Sequence, residues 1–318
     1  MLDKTGRKIE YLRVSLTDRC NLRCVYCMPE EGVPKVSHED VLRYEDFEKI
    51  ISACANLGIK KVRFTGGEPL ILKGVEKLIA HTASLGTIDD ISITTNAILL
   101  GDMAENLKRS GLNRVNISLD TLDHEKFKKI TRGGDLNKVL KSIEKCFSIG
   151  LTPIKLNTVL MRGFNDDEVE KFINLTKEIP INVRFIELMP LGEGLKYYDK
   201  AEMKIDEILD AHPELVPIKD KSNVATVFQA KNALGTVGFI SPMSCKFCSS
   251  CNRIRLTSTG TIKPCLHSDE EINLKPYLSD KNALVNIIKD TIYNKPEEHH
   301  MDKDKKSSTH RMMFQIGG

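Results

Sequence analysis

The stretch Tyr11-Leu-Arg-Val-Ser-Leu-Thr-Asp-Arg-Cys20-Asn-Leu-Arg-Cys24-Val-Tyr-Cys27 runs from a β-branched, apolar segment straight into three thiols. Residues 11–17 read as a strand. The thiols follow in the loop that leaves it, spaced C-x3-C-x2-C. A loop can wrap thiolates around one inorganic centre, and thiolates suit soft metals and iron–sulfur clusters. Three ligands instead of four leave a coordination position open. A structural zinc completed by His38 or another residue is the other reading, although zinc prefers paired C-x2-C units.

Working outward, further strands are expected at 61–65, 90–95, 114–119, 153–160 and 182–188, all rich in Val, Ile and Thr. Helical spacing fills the intervals at 44–57, 74–85, 102–110, 136–149 and 166–177. Gly58, Gly86, Gly111 and Gly150 stand where four of these helices stop. Six β–α units imply a parallel sheet with right-handed crossovers. Periodicity does not choose between an open sheet and a barrel, and six units are too few for a complete eight-stranded one. After Leu188 the rhythm breaks. Gly192, Gly194 and Tyr197-Tyr198 read as a loop, 223–240 as a hairpin, 281–293 as a helix, and 295–308 as a polar, mobile segment.

Composition excludes several classes. The 318 residues carry 47 basic and 44 acidic side chains, a net charge of +3 that does not fit a polyanion-coating protein. With no Trp and 6% aromatics, a base-stacking platform for nucleic acid is not expected. No apolar run is long enough for a membrane span, and the N-terminus has no secretory signal. Nine cysteines, an odd number in a chain this long, argue against a disulfide framework and for metal binding or catalysis in the cytoplasm.

A second thiol set, Cys248, Cys251 and Cys265, is spaced C-x2-C-x13-C. Arg253 and Arg255 lie within it and share one face if the segment is extended. Two guanidiniums beside a metal centre suit a polyphosphate, while a zinc knuckle with a solvated Arg pair fits the same spacing. Cys245 precedes the set and is left out of it. Cys54 and Cys146 fall on apolar helix faces and read as core residues.

The first thiol set, with Tyr26 just before its last Cys, is similar to the signature of the radical S-adenosylmethionine enzymes. In that family the open iron of a [4Fe–4S] cluster is chelated by S-adenosylmethionine, which one electron cleaves to methionine and a 5′-deoxyadenosyl radical. Thr65-Gly66-Gly67-Glu68-Pro69 resembles the family's GGEP motif. Both thiol sets together, in this order and spacing, resemble the GTP 3′,8-cyclase family of molybdenum cofactor biosynthesis over essentially the whole chain. The ending Ile316-Gly317-Gly318 is included, since these cyclases end in a double glycine that reaches the active site.

That resemblance implies a partial parallel (βα)6 TIM-like barrel over residues 1–190 and a C-terminal region, 191–318, that carries a second [4Fe–4S] cluster. It implies cluster ligation by Cys20, Cys24 and Cys27 and by Cys248, Cys251 and Cys265. S-adenosylmethionine contacts would come from Tyr26, Gly67, Ser118 and Met189, and GTP contacts from Arg13, Arg63, Thr94, Lys155, Arg253 and Arg255. Catalytic roles would fall to Arg253, Arg255, Gly317 and Gly318. The two clusters would face each other across the barrel mouth. The implied partners are GTP, S-adenosylmethionine, a reductant such as flavodoxin or ferredoxin, and the downstream cyclic pyranopterin monophosphate synthase, with no nucleic acid and no membrane. A homodimer is left open. Two alternatives stand beside this reading: another radical enzyme with an auxiliary cluster, such as a peptide-modifying one, and a non-catalytic zinc protein.

Overall fold

Alternate residues of the first six strands differ sharply in chemistry, and that alternation builds the fold. In the computed structural model, which describes residues 1–34, 37, 39–219, 224–244, 247–299 and 307–317, β1 (Tyr11–Ser15) sends Leu12 and Val14 into the main apolar core. Tyr11, Arg13 and Ser15 take the opposite face. The same division sets Val62 and Phe64 against Arg63 and Thr65 in β2 (Lys61–Thr65), and Ile91 and Ile93 against Ser92 and Thr94 in β3 (Asp90–Thr95). It sets Val115 and Ile117 against Asn116 and Ser118 in β4 (Arg114–Ser118). In β5 (Ile154–Leu160) it sets Ile154 and Leu156 against Lys155 and Asn157, and in β6 (Asn182–Glu187) Val183 and Phe185 against Asn182 and Arg184.

The apolar faces pack under α1 (Tyr44–Asn56), α2 (Val75–Ser84), α3 (Leu100–Arg109), α4 (His124–Thr131), α5 (Leu136–Ser148) and α6 (Val169–Glu178). Cys54 on α1 and Cys146 on α5 are fully buried there, as their apolar helix faces predict. The polar faces are left to line the inside of the curved sheet.

Beyond β6 come α7 (Leu195–Ala201), α8 (Ile205–Ala211), β7 (Leu215–Pro217), β8 (Thr226–Ala230) and β9 (Thr236–Ile240). β10 (Arg253–Leu256), β11 (Thr261–Lys263), β12 (Ile272–Asn273), α9 (Lys281–Tyr293) and α10 (Met313–Ile316) follow. β1 to β6 pair in sequence order, all parallel. β10 then lies parallel beside β1, and β9 parallel beside β6. Eight strands therefore run parallel, two more than the β–α rhythm predicts. β11 and β12 extend one end antiparallel, and β8 and β7 the other, giving, among the described residues, a twelve-stranded sheet whose ends do not pair. This is the expected partial barrel, lengthened at both edges by the C-terminal region.

One local expectation changes. Residues 192–198 are a 3-10 turn (Gly192–Gly194) leading into α7, not a loop. The reason is tertiary: Tyr198 is buried in a small cluster with Ile130, Met161, Leu188 and Ala201. α4 and α8 were not foreseen, since α4 buries only Phe127, Ile130 and Thr131 among polar neighbours and depends on Asp123 accepting from the Lys126 amide. The 223–240 hairpin is present as β8–β9, its residue 223 lying outside the described residues. His38, Cys245 and Gly318 also lie outside them. Among the described residues no helix is long and apolar enough to cross a membrane.

Candidate active site

The loop after β1 sets the first three thiols at the C-terminal rim of the sheet, where parallel α/β folds bind ligands. The Cys27 and Met28 amides donate to the Cys24 carbonyl, turning the loop tightly. Cys20 Sγ accepts from the Leu22 amide at 3.3 Å and from Asn96 Nδ2 at 3.6 Å. Burial pushes the Cys20 thiol up to about 11 and Cys27 to about 12, and Cys24 well above the ordinary range; neighbouring thiols and Asp120 or Glu68 add to the rise. Without a cation these groups stay protonated at neutral pH. Soft, half-buried thiols that need positive charge, with N–H donors already aimed at one sulfur, fit an iron–sulfur cluster. Among the described residues no three potential ligands converge as they do around a single ion.

The GGEP turn is locked against this loop. The Gly67 amide donates to the Thr17 carbonyl at 2.7 Å and the Glu68 amide to the Arg19 carbonyl at 2.9 Å. A Cβ on Gly67 would stand 2.2 Å from the Arg19 carbonyl oxygen, so only glycine fits the approach. Glu68 is buried and accepts from Thr95 Oγ1 at 2.7 Å and from the Asn96 and Leu70 amides at 2.8 and 3.0 Å. It ties the ends of β2 and β3 together, and burial raises its carboxyl to about 7.

Beside the thiols opens a cavity of about 200 Å³. Tyr26, Gly67, Ser118 and Met189, the four residues expected to meet S-adenosylmethionine, all line it with Cys20, Cys24 and Cys27. Thr94, expected on the GTP side, lines it too. Tyr26 Oη donates to Asp120 Oδ2 at 2.7 Å, and Asp120 Oδ1 accepts from the Val159 amide at 2.8 Å. Asn157, Met313 and Phe314 line the same cavity and have no motif that marks them.

The second thiol set lies at the other end of the β1–β10 pair. Tyr11 pairs with Arg253, so Cys251 precedes the strand start while Cys20 follows the finish of β1. Cys265 follows β11, which runs back antiparallel to the same end. The sets thus occupy opposite ends of the interior instead of facing each other across the mouth. Burial raises the Cys251 thiol, but Lys295, Arg253 and Arg255 bring it below its ordinary value. Arg7 Nη1 fastens this corner, donating to the Cys248 carbonyl at 2.9 Å and to the Glu297 carbonyl at 2.8 Å.

Between the ends lies a layer of cations. Strand register puts Arg255, Arg13, Arg63 and Ser92 side by side on adjacent strands. The Arg63 and Arg253 guanidiniums lie 5.5 and 5.4 Å from the Tyr11 ring centroid. Burial first, and neighbouring guanidiniums second, lower Arg63 and Arg255 to about 10 and hold Arg13 well below its ordinary value. The largest neighbouring influences that favour charge are Tyr11 and, for Arg255, Cys251 and Cys265. Lys155 sits further round the sheet, where it shares a smaller cavity with Arg184 and Lys219. Arg184, which sequence reasoning missed, is near enough to Arg63 to lower it. Ser15 Oγ, Thr65 Oγ1, Thr94 Oγ1, Asn157 Oδ1 and Arg253 Nε are buried on this inner face without a hydrogen-bond partner among the described residues. Buried polar atoms are normally satisfied, so such a group marks a polar ligand's place.

The C-terminal segment enters this interior. Arg255 Nη1 donates to the Ile316 and Gly317 carbonyls at 2.9 and 2.6 Å. Gly317 has a φ of 69°, and a Cβ there would meet Thr65 Oγ1 at 2.1 Å.

An open, mostly parallel β–α sheet with three thiols and a GGEP turn at its C-terminal rim defines a radical S-adenosylmethionine protein. The chain matches the Radical SAM superfamily over residues 14–176 and the Molybdenum Cofactor Synthesis C family over residues 181–301. It is 60% identical over 319 aligned positions to a protein named GTP 3′,8-cyclase from Clostridium botulinum (strain Okra / Type B1), covering 100% of both. To the protein of the same name from Clostridium acetobutylicum it is 50% identical over 320 positions, again covering 100% of both. Among solved structures it is similar to Streptococcus suis SuiB bound to precursor peptide SuiA, with a TM-score of 0.62 and 16% identity over 92% of this chain and 66% of that one. Likeness at that identity shows the fold alone. The chain belongs to the radical S-adenosylmethionine superfamily and, within it, to the GTP 3′,8-cyclase family.

Proposed function

We propose that this chain converts GTP to (8S)-3′,8-cyclo-7,8-dihydroguanosine 5′-triphosphate, a lyase reaction and the first step of molybdenum cofactor biosynthesis. With a [4Fe–4S] cluster on Cys20, Cys24 and Cys27, bound S-adenosylmethionine supplies a 5′-deoxyadenosyl radical able to take a hydrogen from ribose C3′.

The chain's own residues do the rest by placement. Tyr26, Gly67, Ser118 and Met189 hold S-adenosylmethionine in the rim cavity. Arg13, Arg63, Lys155, Arg253 and Arg255, joined by Arg184, neutralise the triphosphate, and Thr94 contacts the nucleotide near the rim. Crowded, desolvated guanidiniums repel one another and gain most from a polyanion, so the side-by-side placing of Arg255, Arg13 and Arg63 on adjacent strands is the observation that carries the reading. Cys248, Cys251 and Cys265 would hold a second [4Fe–4S] cluster at the far end, with Lys295, Arg253 and Arg255 favouring the Cys251 thiolate. The Ile316 and Gly317 carbonyls sit on Arg255 and exclude water from the reacting end of the substrate. Residues 1–190 form the radical-generating part and 191–318 the part that carries the second cluster. A one-electron donor such as flavodoxin or ferredoxin reduces the enzyme in the cytoplasm, and cyclic pyranopterin monophosphate synthase takes the product.

The test is anaerobic reconstitution with iron and sulfide, followed by reduction and addition of S-adenosylmethionine with GTP or ATP. The reading expects about eight irons per chain, two clusters of four, and a GTP-dependent isomer with no ATP counterpart. A protein that holds zinc without labile sulfide and forms no deoxyadenosine would overturn it.

A further inference from the structure

The C-terminal segment lines the cofactor cavity, yet it is not part of the barrel's core. Phe314 and Ile316 are buried, at 4% and 1% exposure, but neither belongs to the main apolar cluster. Polar contacts hold the segment: Arg255 at its last carbonyls, Asp18 Oδ2 at 3.4 Å from Gln315 Nε2, and a cluster at the sheet edge. Arg311 Nε and Nη2 donate to Glu271 Oε1 and Oε2, both at 2.7 Å, a bidentate pair. Glu271 directly precedes β12 and also accepts from Lys263 Nζ, a fully buried ammonium at the end of β11, at 2.8 Å. Lys263 Nζ reaches the segment as well, at 3.3 Å from Thr309 Oγ1. Past Arg311 the chain turns, with the Met312 amide donating to Gln315 Oε1 at 2.9 Å. Met313 and Phe314 then face the rim cavity, and the Ile316 and Gly317 carbonyls face Arg255.

We propose that Glu271 and Arg311 form a latch that holds the C-terminal segment across the interior, setting Phe314 against the S-adenosylmethionine cavity and the last carbonyls against Arg255. Both are positioning residues; neither touches the cavity. The inference rests on the cyclase reading for its consequence, but not for its geometry. Buried Lys263 keeps Glu271 aimed at the segment, so the strand edge is prepared before the segment docks. Losing the bidentate pair leaves the barrel intact and loosens the segment, which Arg255 and Asp18 then hold without its anchor at the sheet edge. A loosened segment lets solvent and misaligned substrate meet the reactive intermediate, which uncouples S-adenosylmethionine cleavage from cyclisation.

The experiment compares full-length, cluster-reconstituted wild type with Arg311→Met, Glu271→Gln and the conservative Arg311→Lys. Amide hydrogen exchange over residues 309–317 should quicken about tenfold or more in Arg311→Met and Glu271→Gln, with exchange in β1 to β6 unchanged. The ratio of deoxyadenosine to cyclised GTP should rise in the same two variants. Arg311→Lys, which keeps the charge and loses the fork, should fall between on both readouts. Unchanged protection of the segment in both variants would overturn the latch, and so would lost protection with an unchanged product ratio. If wild type cleaves S-adenosylmethionine without altering GTP, the cyclase reading fails while the exchange data still decide the latch geometry.

Discussion

Gly67→Ala tests the site where geometry leaves least room. The added Cβ would stand 2.2 Å from the Arg19 carbonyl oxygen and 2.9 Å from that of Asp18, where ordinary contact begins at 3.4 Å. Something must move by about 1 Å, and both neighbours are backbone. The loops cannot part freely, because the Gly67 and Glu68 amides bond to the Thr17 and Arg19 carbonyls and Glu68 is tied to Thr95 and Asn96. Overpacking of this kind costs about 1–3 kcal/mol. For a chain of this size that lowers Tm by roughly 2–4 °C per kcal/mol. The functional loss should be larger, since a misplacement of about 1 Å near reacting groups can cost on the order of a hundredfold. The assay is S-adenosylmethionine cleavage by reconstituted enzyme, with thermal melting alongside. Gly86→Ala is the control: nothing lies within 4 Å of its Cβ, so it strains only a backbone φ of +65° and should leave cleavage unchanged. Wild-type cleavage by Gly67→Ala would refute the claim that this close approach positions the cofactor.

Arg255→Ala should cut cyclisation by about 10²–10³, the scale for removing a preorganised charge-stabilising donor, while iron and sulfide content stay at wild-type levels. Cys251→Ser should lose the iron of the second cluster and all GTP cyclisation, yet retain deoxyadenosine formation at the first; total loss of cleavage would contradict the division of labour between the thiol sets. Glu68 gives a pH signature. Its folded carboxyl titrates near 7 against 4.5 in the unfolded chain, so the folded state binds the proton more tightly and stability falls as pH rises through that window. The drop is about 3 kcal/mol at most, and Glu68→Gln should flatten it in denaturant titrations run from pH 4.5 to 7.5.

The alternation of Leu12 and Val14 with Tyr11, Arg13 and Ser15 is legible from sequence because strand periodicity and chemistry coincide there. The same holds for Arg253 and Arg255, whose shared face follows from an extended segment. Their level with Arg13 and Arg63 was not legible, because it depends on β10 pairing with β1 across some 240 residues, and no local signal encodes that register. The fusion of the C-terminal region into the parallel sheet, through β9 as well as β10, escaped for the same reason. Phe314 and Asn157 carry no motif at all; only the path of the chain brings them to the cavity. Ala97 is a reverse case. Its φ of +62° is one that glycine takes more readily, yet no glycine stands there to mark the turn. The resemblance supplied the chemistry of Gly67, but the reason it must be glycine lies in a loop 48 residues earlier in the chain, at Arg19.

The most direct test of the whole account follows one hydrogen. GTP deuterated at ribose C3′ is given to reduced, reconstituted enzyme with S-adenosylmethionine, and both products are read by mass spectrometry. A cation layer that aims GTP C3′ at the rim cavity predicts deuterium in 5′-deoxyadenosine and its absence from the cyclised nucleotide. Deoxyadenosine free of deuterium, formed alongside a nucleotide that keeps its label, would contradict it.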